Sequence, residues 1–151
     1  MRYFDTSFLA PLVREEKTTS RIARFMAGLP AGELAISLWT EVEFASLLAR
    51  DVRMGNIRGD EAREADMLFE DVVRQSFVVL SPSADDYALA RRYLHTYETG
   101  LRAGDALHLA IAGNHQAAAI YSLDKTIIKA GKILGLPVSA AISNPMIGRQ
   151  G

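Results

Sequence analysis

The chain has 151 residues, a formal net charge of −1 and 49% hydrophobic residues. That is the size of one domain, too apolar for a disordered chain, and without the basic excess usual in nucleic-acid-binding domains. It has no cysteine, which excludes disulfides, thiolate zinc sites and cysteine nucleophiles, and no apolar run approaches the roughly 18 residues of a membrane helix.

The opening Met1-Arg-Tyr-Phe-Asp5 leads into no long apolar stretch, so no secretory signal is expected and the protein is read as cytoplasmic. Tyr3-Phe4 is a brief strand candidate that ends at Asp5. Helical segments follow over Phe8–Arg14 and Thr18–Ala27, the second with Ile22, Phe25 and Met26 on one face. Pro11 suits a helix's first turn and not its interior, so the first helix is expected to start late or irregularly. Leu34–Ser37 reads as a buried strand. Thr40–Met54 carries Val42, Leu47 and Leu48 at helical spacing and stops at Gly55-Asn56. Asp60–Gln75 is a charged amphipathic helix with Ala62, Ala65, Leu68, Phe69 and Val72 on its apolar face.

Phe77–Leu80 is rich in β-branched and aromatic residues and reads as a strand. Ser83–Tyr97 is helical, with Ser83 and Asp86 forming a capping box. Gly104–Ala118 is an apolar helix, Ala119–Leu123 a strand, and Lys125–Leu134 a helix closed by Gly135. Pro137-Val138 can start a last short strand. Strands alternating with helices imply an α/β fold: a central, mostly parallel sheet of short strands with helices on both faces. One domain over residues 1–142 and a frayed tail at 143–151 are expected.

Open α/β sheets bind ligands beyond the carboxyl ends of their strands. Four acids are expected to meet there. Asp5 ends the first strand, Glu43 lies in the first turn of the helix after Leu34–Ser37, Asp105 opens an apolar helix, and Asp124 follows the strand Ala119–Leu123. Ionised carboxylates held together repel and resist burial unless a cation compensates. With only oxygen donors the cation implied is hard, Mg²⁺ or Mn²⁺, and such sites serve phosphoryl chemistry. Each acid also has a purely structural reading. Asp5 and Asp105 can cap helices, Thr40 and Glu43 can form a capping box, and Asp124-Lys125 can be a turn.

Tyr3-Phe-Asp-Thr-Ser-Phe-Leu9, Thr40-Glu-Val-Glu-Phe-Ala-Ser46, Leu101-Arg-Ala-Gly-Asp-Ala-Leu-His-Leu-Ala110 and Tyr121-Ser-Leu-Asp-Lys125 resemble, in order, the four acidic motifs of PIN-domain proteins. The third match is the most specific. The resemblance spans about residues 1–139, and the length is most similar to that of VapC-type toxins of toxin–antitoxin pairs. It implies a Mg²⁺-dependent endoribonuclease, usually a homodimer, held inactive by an antitoxin. It implies that Asp5, Glu43, Asp105 and Asp124 bind the metal and carry catalysis. Where the family often has Thr two residues before the last acid, Ser122 keeps the hydroxyl. Glu41 competes with Glu43 for the second acid; two positions apart on a helix, they cannot face the same way.

Two other readings differ in class. A phospho-acceptor signalling domain needs paired acids after its first strand and an Asp ending a middle strand, and both are missing. A PIN-like binding module without catalysis would not need all four acids. His108, one turn after Asp105, either reaches the site or packs in the core. Arg102 either contacts phosphate or is solvated. Trp39 stacks on a base, packs against an antitoxin, or lies in the core. Arg50, Arg53, Arg58 and Arg63 form a basic rim or a solvated face. The apolar stripes of Thr18–Ala27 and Asp60–Gln75 exceed what a small core requires and suggest a partner groove.

Overall fold

A computed structural model describes residues 1–13 and 19–141. The elements alternate as β1 (Arg2–Phe4), α1 (Thr6–Val13), α2 (Thr19–Ala27), β2 (Leu34–Ser37), α3 (Leu38–Arg53), α4 (Gly59–Ser76), β3 (Val78–Leu80), α5 (Ala84–Leu94), a 3₁₀ turn (Tyr97–Thr99), α6 (Ala103–Asn114), β4 (Ala119–Tyr121), α7 (Lys125–Ile133) and β5 (Val138–Ser139). The strands form one sheet in the order β3-β2-β1-β4-β5. Every pairing is parallel, so the mostly parallel sheet expected from sequence is fully parallel among the described residues.

The two-residue period of a strand sorts its side chains between two cores. Tyr3, Ala35 and Ile120 pack with α5, α6 and α7 through Ala90, Leu109, Ile111 and Ile127. Phe4, Ile36 and Tyr121 face the other way and meet Phe8, Ile22, Phe44 and Phe69 of α1–α4. Phe4 alone has ring neighbours in Phe8, Phe77 and Tyr121 at 5.1–5.7 Å. Full burial of such a side chain contributes about 1.5–3 kcal/mol.

The order places a topological switch at β1, where the chain winds outward to β2 and β3 and later returns to the other side as β4 and β5. In parallel sheets that crevice is where ligands sit. The residues that follow β1 and β4 are therefore neighbours, although they lie far apart in sequence.

Several local expectations change. Helix α1 starts at Thr6, directly after Asp5, and Pro11 lies inside it, buried. The lost proline amide is tolerated because Phe8, Leu9 and Ala10 are buried around it, and the Pro11 carbonyl accepts the Thr19 hydroxyl at 2.6 Å. Helix α3 starts at Leu38 with Ser37 as N-cap, and the capping box is Ser37 with Thr40, not Thr40 with Glu43. Glu43 thus sits in the second turn, with no capping duty. Val42 and Leu68 are exposed, the buried stripes running instead through Thr40, Phe44 and Leu48 and through Phe69 and Val73. Helix α6 ends at Asn114, four residues early, and the chain turns through Gln116 at φ 52°. The Ser83–Asp86 capping box forms as expected, and Gly135 closes α7 with φ +75°, the left-handed conformation glycine takes freely. The 143–151 tail, Arg14 and Thr18 lie outside the described residues.

Candidate active site

Asp5, Glu43, Asp105 and Asp124 all line one cavity of about 260 Å³, beside Thr6, Ser7 and His108. Its lining includes no Lys or Arg among the described residues. Glu41 lies elsewhere, in a recess with Asp66 and Glu70.

Three of the acids sit where helix amides need acceptors. The Oδ1 of Asp5 accepts the Phe8 amide at 3.1 Å in the first turn of α1. Asp124 caps α7 by accepting the Thr126 and Ile127 amides at 2.8 and 3.2 Å, a firmer role than the plain turn read from sequence. Asp105 occupies the third position of α6 and takes the backbone amide of Arg102. Helix N-termini favour carboxylates, so capping and a negative site coexist.

Hydroxyls fix the first and last acids against each other. Asp5 is 1% exposed. Its Oδ1 accepts the Ser7 hydroxyl at 2.8 Å and its Oδ2 the Ser122 hydroxyl at 2.5 Å. The Asp124 amide in turn donates to Ser122 Oγ at 3.0 Å. Burial nevertheless pushes the Asp5 carboxyl above the usual range, outweighing these bonds and the electrostatic pull of the His108 ring.

Glu43 is positioned from below. Its Oε1 accepts the Thr6 hydroxyl at 2.7 Å and a close hydrogen bond from His108 Nε2. The other ring nitrogen, Nδ1, meets the Tyr3 hydroxyl at 2.7 Å, which also meets Ser37 Oγ at 2.9 Å. An ionised carboxylate only accepts, so Nε2 carries the proton and Nδ1 is free to accept from Tyr3. Burial alone would raise the Glu43 carboxyl, but the hydrogen bond and electrostatic pull of the His108 ring, with Thr6, bring it below its usual value. Burial holds the Tyr3 phenol well above its ordinary range.

Asp105 has no such support. Burial comes first and the charges of Asp124 and Glu43 next, and together they raise its carboxyl. Like charges meet here, offset only in part by the Arg102 amide and the nearby His108 ring. The carboxylates are not gathered as ready ligands, however. Among the described residues no group of three or more Asp, Glu, His or Cys stands in metal-binding geometry, because several of the oxygens are turned to hydroxyls and amides.

Gly104 lets α6 approach α3. A Cβ there would meet Trp39 Cζ2 at 3.0 Å and Glu43 Oε2 at 3.1 Å, and Trp39 Nε1 donates to the Gly104 carbonyl at 3.2 Å. Sequence reasoning leaves His108 between the site and the core and takes Tyr3 only as part of a strand. Helical spacing from Asp105 was the signal for His108, and the strand's period, which sets Tyr3 on the same side as Asp5, was the signal for Tyr3.

The PIN domain model matches residues 2–133. No curated protein sequence matches. Among solved structures, the chain is similar to the Mycobacterium tuberculosis toxin VapC20, described as cleaving the sarcin–ricin loop. The two share 23% identity over 87% of this chain and 95% of that one, with a TM-score of 0.69. It is also similar to VapBC-1 from nontypeable Haemophilus influenzae, at 17% identity over 92% and 97% and TM-score 0.66. A toxin–antitoxin complex from Klebsiella pneumoniae matches at 18% identity over 95% and 100%, with TM-score 0.65. At these identities the structural likeness speaks for the fold, and the match to the family model over nearly the whole length decides membership: the chain belongs to the PIN-domain family.

Proposed function

We propose that this chain, as one nuclease domain over residues 1–142, is a Mg²⁺- or Mn²⁺-dependent endoribonuclease and the toxin of a type II toxin–antitoxin pair. The observation that carries this reading is the cavity at the switch crevice, where four carboxylates from four separate elements meet without a lining cation.

The residues fit a hard divalent cation by donor chemistry, since every acidic donor is oxygen and the charges of Asp124 and Glu43 bear on Asp105. Asp5, Glu43, Asp105 and Asp124 would hold it. When bound, such a cation supplies an activated water and neutralises the scissile phosphate. The chain's own contribution is orientation. Ser7 and Ser122 fix Asp5, Thr6 and His108 fix Glu43, and the α7 amides fix one oxygen of Asp124. Asp105 is held by the Arg102 backbone amide alone.

The structural relative described as a toxin–antitoxin complex supports an antitoxin partner. An apolar recess of about 560 Å³ between α3 and α4, lined by Leu48, Val52, Ala62 and Met67, suits an antitoxin segment. A homodimer is part of the same reading. No helix among the described residues is long and apolar enough to cross a membrane, in keeping with a cytoplasmic enzyme.

The test is cleavage of single-stranded RNA by the purified chain in Mg²⁺, in EDTA, and in EDTA followed by excess Mn²⁺. Cleavage that stops and returns supports the reading. Cleavage indifferent to EDTA, or none in any buffer, sinks it.

A further inference from the structure

A second cavity lies across Gly104 from the acids. It has a volume of about 330 Å³ and is lined by Trp39, Tyr87, Arg91, Leu94, Leu107 and Gly104 among others. The two cavities share a thin partition, for Trp39 Cζ2 and Glu43 Oε2 approach the same point beside Gly104 at 3.0 and 3.1 Å. The Trp39 indole N–H is already bonded to the Gly104 carbonyl, so the rest of the ring forms an apolar wall. Tyr87 is 58% exposed at the rim.

The rim is also cationic. Arg91 lines the cavity, and Arg102 precedes the Ala103-Gly104 pair that forms its edge. Both are exposed, and neither guanidinium makes an ion pair or side-chain hydrogen bond with a described residue. A chain of net charge −1 with four carboxylates in its site repels a polyanion. Grip on the strand must then come from groups beside the acids. Aromatic walls and unpaired arginines are the pair that single-stranded nucleic acids use, the rings stacking on bases and the guanidinia meeting phosphates.

Resting on the nuclease reading, we propose that this cavity is a nucleobase subsite. It holds an unpaired base of the RNA next to the scissile phosphate, stacked against Trp39 and Tyr87, with Arg91 and Arg102 on the flanking phosphates. The subsite selects an unstacked nucleotide at the cut and so favours loops and single strands over duplex.

Trp39 is the only tryptophan, which makes its emission a local reporter. The full chain in EDTA is titrated with a single-stranded RNA octamer and with an abasic octamer of the same backbone. The base-bearing strand should quench Trp39 and the abasic strand should not. Tyr87→Ala should raise Kd for the RNA on the order of tenfold. In Mg²⁺ the same variant should raise KM with kcat held, a split that mere misfolding would not give. Arg91→Gln should weaken both strands and flatten the salt dependence of binding. Equal responses to the two strands, or a KM untouched by Tyr87→Ala, overturn the subsite. So does an emission change that follows protein concentration without RNA, since the cavity would then face a second copy. A chain that cleaves RNA while Trp39 stays silent overturns the subsite alone. Base-dependent quenching in a chain that never cleaves keeps the subsite and ends the nuclease reading.

Discussion

Tyr3→Phe removes one oxygen and leaves the ring in place, at a residue with no exposed surface. The hydroxyl bridges Ser37 Oγ at 2.9 Å and His108 Nδ1 at 2.7 Å. The bond to Ser37 is lost at about 1 kcal/mol. Ser37 keeps its partner in the Thr40 amide, but Nδ1 of His108, itself 1% exposed, loses its only one. A buried polar atom left alone costs about 1–3 kcal/mol. The sum is a loss of roughly 2–4 kcal/mol, or a fall in Tm of about 5–15 °C for a domain of this size. Urea unfolding followed by circular dichroism measures the loss. Because His108 holds Glu43, kcat for RNA should fall as well. A variant within about 0.5 kcal/mol of the wild type would refute the Tyr3–His108–Glu43 chain as a supporting structure.

Asp105→Asn should abolish cleavage and raise Tm at neutral pH. The carboxyl of Asp105 is raised in the folded state, so the stability it contributes is present below its ordinary value of 3.8 and is lost as pH rises through the folded value. The variant's advantage should therefore vanish near about pH 3, and thermal melts at the two pH values check the sign. Glu43→Gln should cripple cleavage while Glu41→Gln, in its separate recess with Asp66 and Glu70, leaves it intact. The reverse pattern in a cleavage assay would move the second acid to Glu41. Gly104→Ala should cost about 1–3 kcal/mol by forcing Trp39 and Glu43 apart, read by thermal melt, and should lower activity even in the folded fraction.

Much of the candidate site was legible because three of its four acids adjoin a recognisable boundary. Asp5 and Asp124 follow short apolar runs, and Asp105 follows a glycine at a helix start. What carried less signal was anything that depends on a pairing across the fold. His108 and Glu43 are 65 positions apart, and nothing local says that the histidine reaches an acid instead of packing. The start of α3 was misplaced for a related reason. Ser37 both ends β2 and caps the helix, so a strand reading of Leu34–Ser37 hid the cap and left Thr40 looking like the first residue. Pro11 obeyed its local preference less than the burial around it. The exposed Val42 and Leu68 show the limit of periodicity, which finds an apolar stripe and not the share of it that the core covers.

In the function proposed above, Asp5, Glu43, Asp105 and Asp124 share one divalent-cation site. Calorimetric titration of Mn²⁺ into the purified chain, alongside Asp105→Asn, tests it without relying on any RNA. Saturable binding is expected in the wild type and at least about a tenfold weaker Kd in the variant, which corresponds to about 1.4 kcal/mol. Equal affinity in the two proteins, or no binding in either, would contradict the shared site.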